Sequence, residues 1–384
     1  MKNNKLVVKI KDKIVQIISN AYDIIKPSLI AIAVGLFIGF IIMLMFDVRD
    51  AVPAMITLIF GSFIEGSKSF GNMLDIAGPI ILAGLSVAFA FKTGLFNIGA
   101  SGQMMMGTIA SLYVGIAFRM SFPLHLILSL LAGLVAGAIW GFIPGILKAT
   151  RNVNEVVSSI MMNYVALYLF TLVIKLYLSQ GTGSSSTSRP VAGSATLPRL
   201  TGLFPDSTAN YGIFIAIGIV IIAHIIIHKT TLGFSLRASG FSFDGSKYAG
   251  MKTKTNIVIA MTMAGLFAGV GGSILYLVQG KTIADFHIFT EGFDGISVAL
   301  LGMGEPIGAL LAGLFLANIR QGAFYLQLYV YVDELIDMII AIIIYSIAIT
   351  AAVQLLLKRY GTDIKIYFKK RKKKKAEAKG SDLK

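Results

Sequence analysis

Runs of apolar residues long enough to cross a bilayer recur along this chain and decide its fold class. A helix needs about 20 predominantly apolar residues to span the hydrocarbon. Ten segments approach that pattern: 27–46, 73–91, 96–118, 123–147, 155–178, 211–228, 255–278, 294–303, 306–327 and 333–357. The eighth is too short to cross unaided. A further apolar stretch, 51–63, is short and interrupted by Pro53, and reads as an interfacial or re-entrant piece. Of the 384 residues, 56% are hydrophobic and 14% charged, where soluble domains carry about 25% charged residues. A water-soluble fold could not cover so much apolar surface. The expected class is all-α: a polytopic transmembrane helical bundle of about ten spans. An ordinary soluble enzyme, a disordered protein and a nucleic-acid module are excluded.

The net charge of +15 then reports orientation. Cytoplasmic loops of membrane proteins carry the excess of Lys and Arg. With the N-terminus inside and the spans alternating, 26 of the 34 Lys and Arg residues fall on the cytoplasmic side. They sit in 1–26, at Lys92, at Lys148 and Arg151, in 228–254 and in 358–384. Both ends are therefore expected in the cytoplasm. The basic segment 1–26 reads as a cytoplasmic arm leading into a signal anchor, since no small-residue cleavage site follows it. The core permeating the membrane is read as 27–357. The tail 358–384, with Lys369 to Lys375 all basic, reads as a solvated anchor rather than a patch for anionic lipid or RNA.

Catalytic material is sparse. Cysteine is absent, which removes disulfides, thiolate metal sites and a thiol nucleophile. Four histidines and one tryptophan leave little for a metal cluster, and no H-E-x-x-H pattern occurs. Gly280-Lys281-Thr282 ends like a phosphate loop, but the leading glycine position is Leu275. No catalytic residue, metal ligand or cofactor site is assigned to this chain. Asp333, Glu334 and Asp337 group at a helix start, where they favour the helix dipole.

Two connections are too long to be simple turns. The segment 179–210 is rich in Ser, Thr, Gly and Pro and falls outside; it reads equally as a binding surface or as a tolerated insertion. The cytoplasmic segment 229–254 mixes small residues (Ala238, Gly240, Gly245, Ala249, Gly250) with apolar anchors (Leu236, Phe241, Phe243, Tyr248, Met251). Small residues admit a second backbone and anchors fill pockets, so a protein partner is expected there. Within the spans, Gly133, Gly137, Gly141 and Gly145 recur every fourth residue, as do Gly35/Gly39 and Gly265/Gly269. That spacing puts them on one helix face and predicts close helix packing. A weak internal echo pairs Gly84-Leu85-Ser86-Val87-Ala88 with Gly295-Ile296-Ser297-Val298-Ala299, and Ile98-Gly99-Ala100 with Ile307-Gly308-Ala309. Such echoes accompany transporter repeats.

Polar groups at membrane depth face a cavity or another helix. Asn97, Gln103, Glu155, Asn163, Asp294, Glu305 and Arg320 are the notable ones. Asn97, Gln103, Asn163 and Asp294 are taken as candidates to line a substrate pathway. On one helix Asn97 and Gln103 would lie about 240° apart and need not share a face. Glu155 is expected to follow Asn154 as N-cap of its helix. Arg320 and Glu305 are too far apart along a straight helix, roughly 22 Å, to pair.

Four segments carry a family resemblance. They are Thr93-Gly94-Leu95-Phe96-Asn97-Ile98-Gly99-Ala100-Ser101-Gly102-Gln103, then Asn154-Glu155-Val156-Val157-Ser158-Ser159-Ile160-Met161-Met162-Asn163-Tyr164, then Gly233 through Met251, and then Gly292 through Gly302. In this order they resemble the permease subunits of bacterial ABC importers for simple sugars, nucleosides and branched-chain amino acids. The similarity is strongest to the nucleoside, guanosine-type uptake permeases. Ser101 stands where the family pattern carries a glutamate. The resemblance implies a multi-pass protein of the bacterial plasma membrane that forms the translocation pathway for nucleosides. It implies partnership with a cytoplasmic ABC ATPase that binds ATP and Mg, a second homologous permease and an extracellular binding lipoprotein, and no nucleic acid. It also places the ATPase-coupling element in 229–254, over Arg237, Ala238, Ser239, Gly240, Phe241, Asp244, Lys247, Tyr248, Ala249 and Gly250.

The alternatives are a sugar or branched-chain amino acid permease of the same family and, in a different class, an ion-coupled secondary transporter. The last would require carboxylates near the midplane to bind Na⁺ or H⁺, and the spans are poor in them.

Overall fold

A computed structural model describes residues 28–179, 187–284, 286–329, 331, 338, 339, 341–346 and 349. The basic arm 1–26, the tail 358–384 and most of 333–357 lie outside the described residues. The chain divides into two units, one of Met1–Gly39 with Ala341–Lys384 and one of Phe40–Ile340. In the first, the described residues are helical. They include the start of α1 (Ser28–Phe46), which ends in the second unit.

The second unit is all helical in its regular elements. α2 (Ala51–Phe60) is followed by α3 (Ser67–Phe91), α4 (Ala100–Ala117), α5 (Leu124–Arg151) and α6 (Glu155–Val173). A π-helical turn extends α6 to Leu178. α7 (Gly212–Lys229), α8 (Thr231–Phe241), α9 (Phe243–Tyr248), α10 (Thr253–Tyr276), α11 (Thr290–Leu301) and α12 (Pro306–Leu326) complete it.

Seven described helices are long and apolar enough to cross a membrane: α1, α3, α5, α6 with its extension, α7, α10 and α12. They coincide with seven of the ten expected spans. The segment 96–118 becomes α4, which is long enough but carries buried Gln103, Thr108 and Ser111. The segment 294–303 becomes α11, whose 12 residues reach about 18 Å. The stretch 51–63 is α2 and one 3₁₀ turn, too short to cross. It docks on α12, where the Gly61 and Gly322 backbones touch and Ser62 Oγ donates to Asn318 Oδ1 at 2.6 Å.

α10 and α3 are the most enclosed helices, and α10 touches α3, α4 and α5. Its contact with α5 runs along the glycine ridge expected from the sequence. Gly137 and Gly141 face Gly265 and Gly269, and Gly133 faces Ser273. A Cβ on Gly137 would lie 2.6 Å from the Gly269 Cα, well inside contact distance. Lipid offers no hydrophobic force to bring helices together, so this close approach and its dispersion contacts hold the pair. The two echo segments also meet: a Cβ on Gly84 of α3 would lie 2.7 Å from Val298 Cβ on α11, and one on Gly295 would lie 2.6 Å from the Ala83 carbonyl carbon.

The described part of 179–210 is an ordered cap rather than a free loop. Leu197 N–H donates to Leu277 O and Ala192 N–H to Gly115 O, at 2.8 and 3.1 Å. Asn210 Nδ2 donates to Asp75 Oδ1 at 2.5 Å, and Thr208 N–H to Asn72 Oδ1 at 2.9 Å.

Gly137→Val should overpack the α5–α10 contact at a cost of about 1–3 kcal/mol. The expected outcome is a lower melting temperature of the detergent-solubilised protein, or loss of it from the membrane, while Gly202→Val, where a Cβ meets nothing within 4 Å, leaves both unchanged.

Candidate functional site

The polar residues named from the sequence resolve into four separate arrangements. α4 starts only at Ala100, so Asn97 lies in the turn before it and folds back onto Gln103. Asn97 Nδ2 donates to Ser86 Oγ and to Gln103 Oε1, both at 2.9 Å. Asn97 Oδ1 accepts from Gln103 Nε2 and the Gly99 N–H, both at 3.1 Å. Asn97 thus uses both donors and both acceptor positions. Asn163, eight residues after the start of α6, accepts the Gly102 N–H at 2.9 Å and donates to Ile98 O at 3.0 Å. Three pathway candidates therefore sit together and bind the α3–α4 turn to α4 and α6. The expectation that Asn97 and Gln103 need not share a face held for a continuous helix, and the chain is not helical there.

Asp294 stands apart. It is buried on α11 and its Oδ2 lies 2.5 Å from Arg320 Nη2 on α12. Arg320 and Glu305 do not pair, as the helix length requires. Glu305 instead sits just before α12, without a side-chain cap, and joins three helix ends. It takes the Lys92 ammonium after α3 on one oxygen and His228 Nε2 of α7 on the other, the latter at 2.9 Å. Burial pushes the Glu305 carboxyl up, but Lys92 and His228 outweigh it and hold the pKa below the ordinary 4.5. Sequence reasoning missed this junction because its members are far apart in the chain. Only the inside placement of Lys92 hinted at it. Glu155 pairs with Lys148 at 3.1 Å, and Asn154 caps α6 through the Val156 N–H at 2.9 Å.

The segment 229–254 forms α8 and α9. Thr230 caps α8 and Ser242 caps α9, each accepting a backbone N–H three residues on at 3.1 Å. α8 is clamped from two sides. Asn256 of α10 donates to Ser235 Oγ at 2.7 Å and to Ser239 Oγ at 2.8 Å, and Leu236 is buried beneath them. Gly240 lies against the Lys92 carbonyl, and its Cβ would be 2.9 Å from Gly94 N. The backbone that approaches Gly240 is thus the chain's own.

Of the remaining anchors, Phe241, Phe243 and Tyr248 point outward and Met251 is half-buried. Phe241 is 95% exposed and Tyr248 98% exposed. Arg237, Asp244, Lys247, Ala249 and Gly250 are also exposed, Ala238 is half-buried, and Ser239 faces inward. A groove of about 590 Å³ opens between α8 and α9, with Phe234, Arg237, Phe241 and Met251 on its walls. The arrangement is a rigid, buried base with a protruding aromatic knob at each end of α9. Its shape suits docking. Among the described residues no three His, Cys, Asp or Glu side chains are placed to hold a metal.

Comparison with known proteins settles the family. The family described as the permease component of branched-chain amino acid transport systems matches residues 69–350. The chain belongs to this permease family. The permease is 40% identical over 335 residues to the guanosine ABC transporter permease protein NupP of Bacillus subtilis, covering 86% of this chain and 94% of that one. It is 35% identical to the nucleoside ABC transporter permease protein NupB of Lactococcus lactis over 86% and 92% of the two chains. It is 30% identical to the glucose ABC transporter permease protein TsgB13 of Haloferax volcanii over 68% and 71%. No solved structure matches. With seven long apolar helices among the described residues, the permease is a multi-pass protein of the bacterial plasma membrane.

A carboxyl with a lowered pKa stabilises the fold above its ordinary value and loses that contribution as the pH falls through the lowered one. Glu305→Gln should therefore lower the melting temperature of the solubilised permease at pH 7. The difference from the unmodified protein should shrink as the pH drops below 4.5.

Proposed function

We propose that this permease is the membrane-spanning subunit of an ABC importer for nucleosides. The observation that carries the substrate class is the near full-length similarity to two nucleoside-type permeases. The sugar reading has the weaker support, since the glucose permease is less similar and over less of the chain. In this reading a cytoplasmic ABC ATPase binds ATP and Mg, a second homologous permease completes the pathway, and an extracellular lipoprotein delivers the nucleoside.

α9 with its terminal Tyr248, and Phe241 just before it, seat in the ATPase, with Arg237, Asp244, Lys247 and Ala249 around them. α8 is the arm that carries the movement inward. One connection leads through Asn256 to α10. The other leads from Gly240 to the Lys92 backbone, and from the Lys92 ammonium through Glu305 to α12 and, by His228, to α7. Closure of the ATPases then displaces packed helices as rigid bodies, which alternates access between the two faces.

The test separates docking from folding. Tyr248→Ala with Ala249→Arg should cut uptake of labelled guanosine at least tenfold, with membrane abundance unchanged and the ATPase lost from the purified complex. Retention of the ATPase with normal uptake would sink the docking role. Gly240→Trp is no substitute, because it strikes the chain's own backbone and should reduce abundance.

A further inference from the structure

The exposed faces of the outer helices differ in chemistry. The large exposed side chains of α5 include Leu128, Leu131, Val135, Ile139 and Phe142, and those of α7 include Ile221, Ile222 and Ile225. Such faces suit lipid tails. α6 exposes Val157, Met161 and Leu172 in the same way, but among them stand Tyr164 and Tyr168, 55% and 63% exposed and one turn apart on that face. They lie about 14 and 20 Å along a 24-residue helix, near the middle of the hydrocarbon. Among the described residues neither hydroxyl has a hydrogen-bond partner. A hydroxyl facing lipid tails would leave its donor and acceptors unmet, at a cost of about 1–3 kcal/mol or more.

A second observation points to the same face. Between α10 and α11 the chain is not helical, and residues 286–289 run beside α6. Phe286 N–H donates to Thr171 Oγ1 at 3.1 Å, and Phe289 packs edge-on against Phe170 at 5.7 Å. Phe286, His287 and Ile288 are exposed there. Non-helical backbone at membrane depth persists only where protein buries it or where it borders a water-filled cavity. A non-helical segment with an exposed imidazole thus runs beside the helix that carries the two unpartnered hydroxyls. The Tyr168 and Phe286 rings meet edge-to-face with centroids 6.0 Å apart, and more than half of each side chain is open.

We propose that the Tyr164–Tyr168 face of α6, with Phe286 and His287, is a wall of the aqueous route through the permease, and that Tyr168 and Phe286 receive the planar base of the solute by stacking. Base stacking on an aromatic ring tolerates different bases, because every base offers a π face. The wall stands on the geometry alone, whereas the base contact rests on the nucleoside reading.

The absence of cysteine makes the test direct, since Tyr168→Cys supplies the chain's sole thiol. In vesicles carrying the whole transporter, with labelling of the unmodified complex subtracted, a charged, membrane-impermeant thiol reagent should modify Tyr168→Cys and Tyr164→Cys. It should not modify Ile222→Cys on the lipid-suited face of α7. Equal labelling of all three, or labelling of none, overturns the wall. The base contact is read separately. Tyr168→Leu should lower guanosine uptake about tenfold at unchanged abundance, the scale of one lost stack, and Tyr168→Trp should retain uptake. Full uptake by Tyr168→Leu overturns the contact. If the unmodified transporter imports no nucleoside, the substrate reading has failed, and the thiol labelling still decides the wall.

Discussion

A backbone amide in hydrocarbon must find a partner within the protein, and the structure is organised around the places where this chain breaks its helices at depth. The turn between α3 and α4 is answered by Asn97, Gln103 and Asn163, which together satisfy the turn and the first residues of α4. The segment between α10 and α11 is answered by Ser101 Oγ, which donates to Phe289 O at 2.8 Å, and by Thr171 of α6. The turn between α11 and α12 closes on its own backbone, with Gly302 against Gly308. The one short element among these breaks is α11, whose 12 residues cover about 18 Å.

Close helix approach supplies the complementary rigidity. α10 presses its glycines on α5 and touches α3 and α4, so a displacement of α10 is shared by most of the bundle. α8 is fastened to α10 through Asn256 and to the end of α3 through Gly240. α9 therefore stands on packed helices rather than on a flexible loop, as the proposed coupling requires. Glu305 extends the connection to α7 and α12 through two charge-assisted contacts.

Much of this was legible in order along the chain. The apolar runs marked the seven long apolar helices among the described residues, because length and apolarity are local properties that lipid reads directly. The four-residue glycine spacing marked the α5–α10 face, because the helical period alone places those residues together. The anchors in 229–254 were legible as a set, but not their division. Leu236 turned inward and Phe241 and Tyr248 outward because the α8 register on Asn256 selects the buried face. The four pathway candidates split for a similar reason. Asn97, Gln103 and Asn163 meet only because α4 starts late, and Asp294 finds Arg320 from another helix.

The sequence by itself determined the solvent, the class and the family, since each follows from composition, run length or contiguous motifs. Tertiary structure decided what no spacing encodes. It paired Lys92 with Glu305 across 213 residues and set the two echo segments of α3 and α11 face to face. It also left Tyr164 and Tyr168 uncovered on one side of α6. Each of these depends on which helix lies beside which, and that choice is made by close packing and polar satisfaction in lipid rather than by any local propensity.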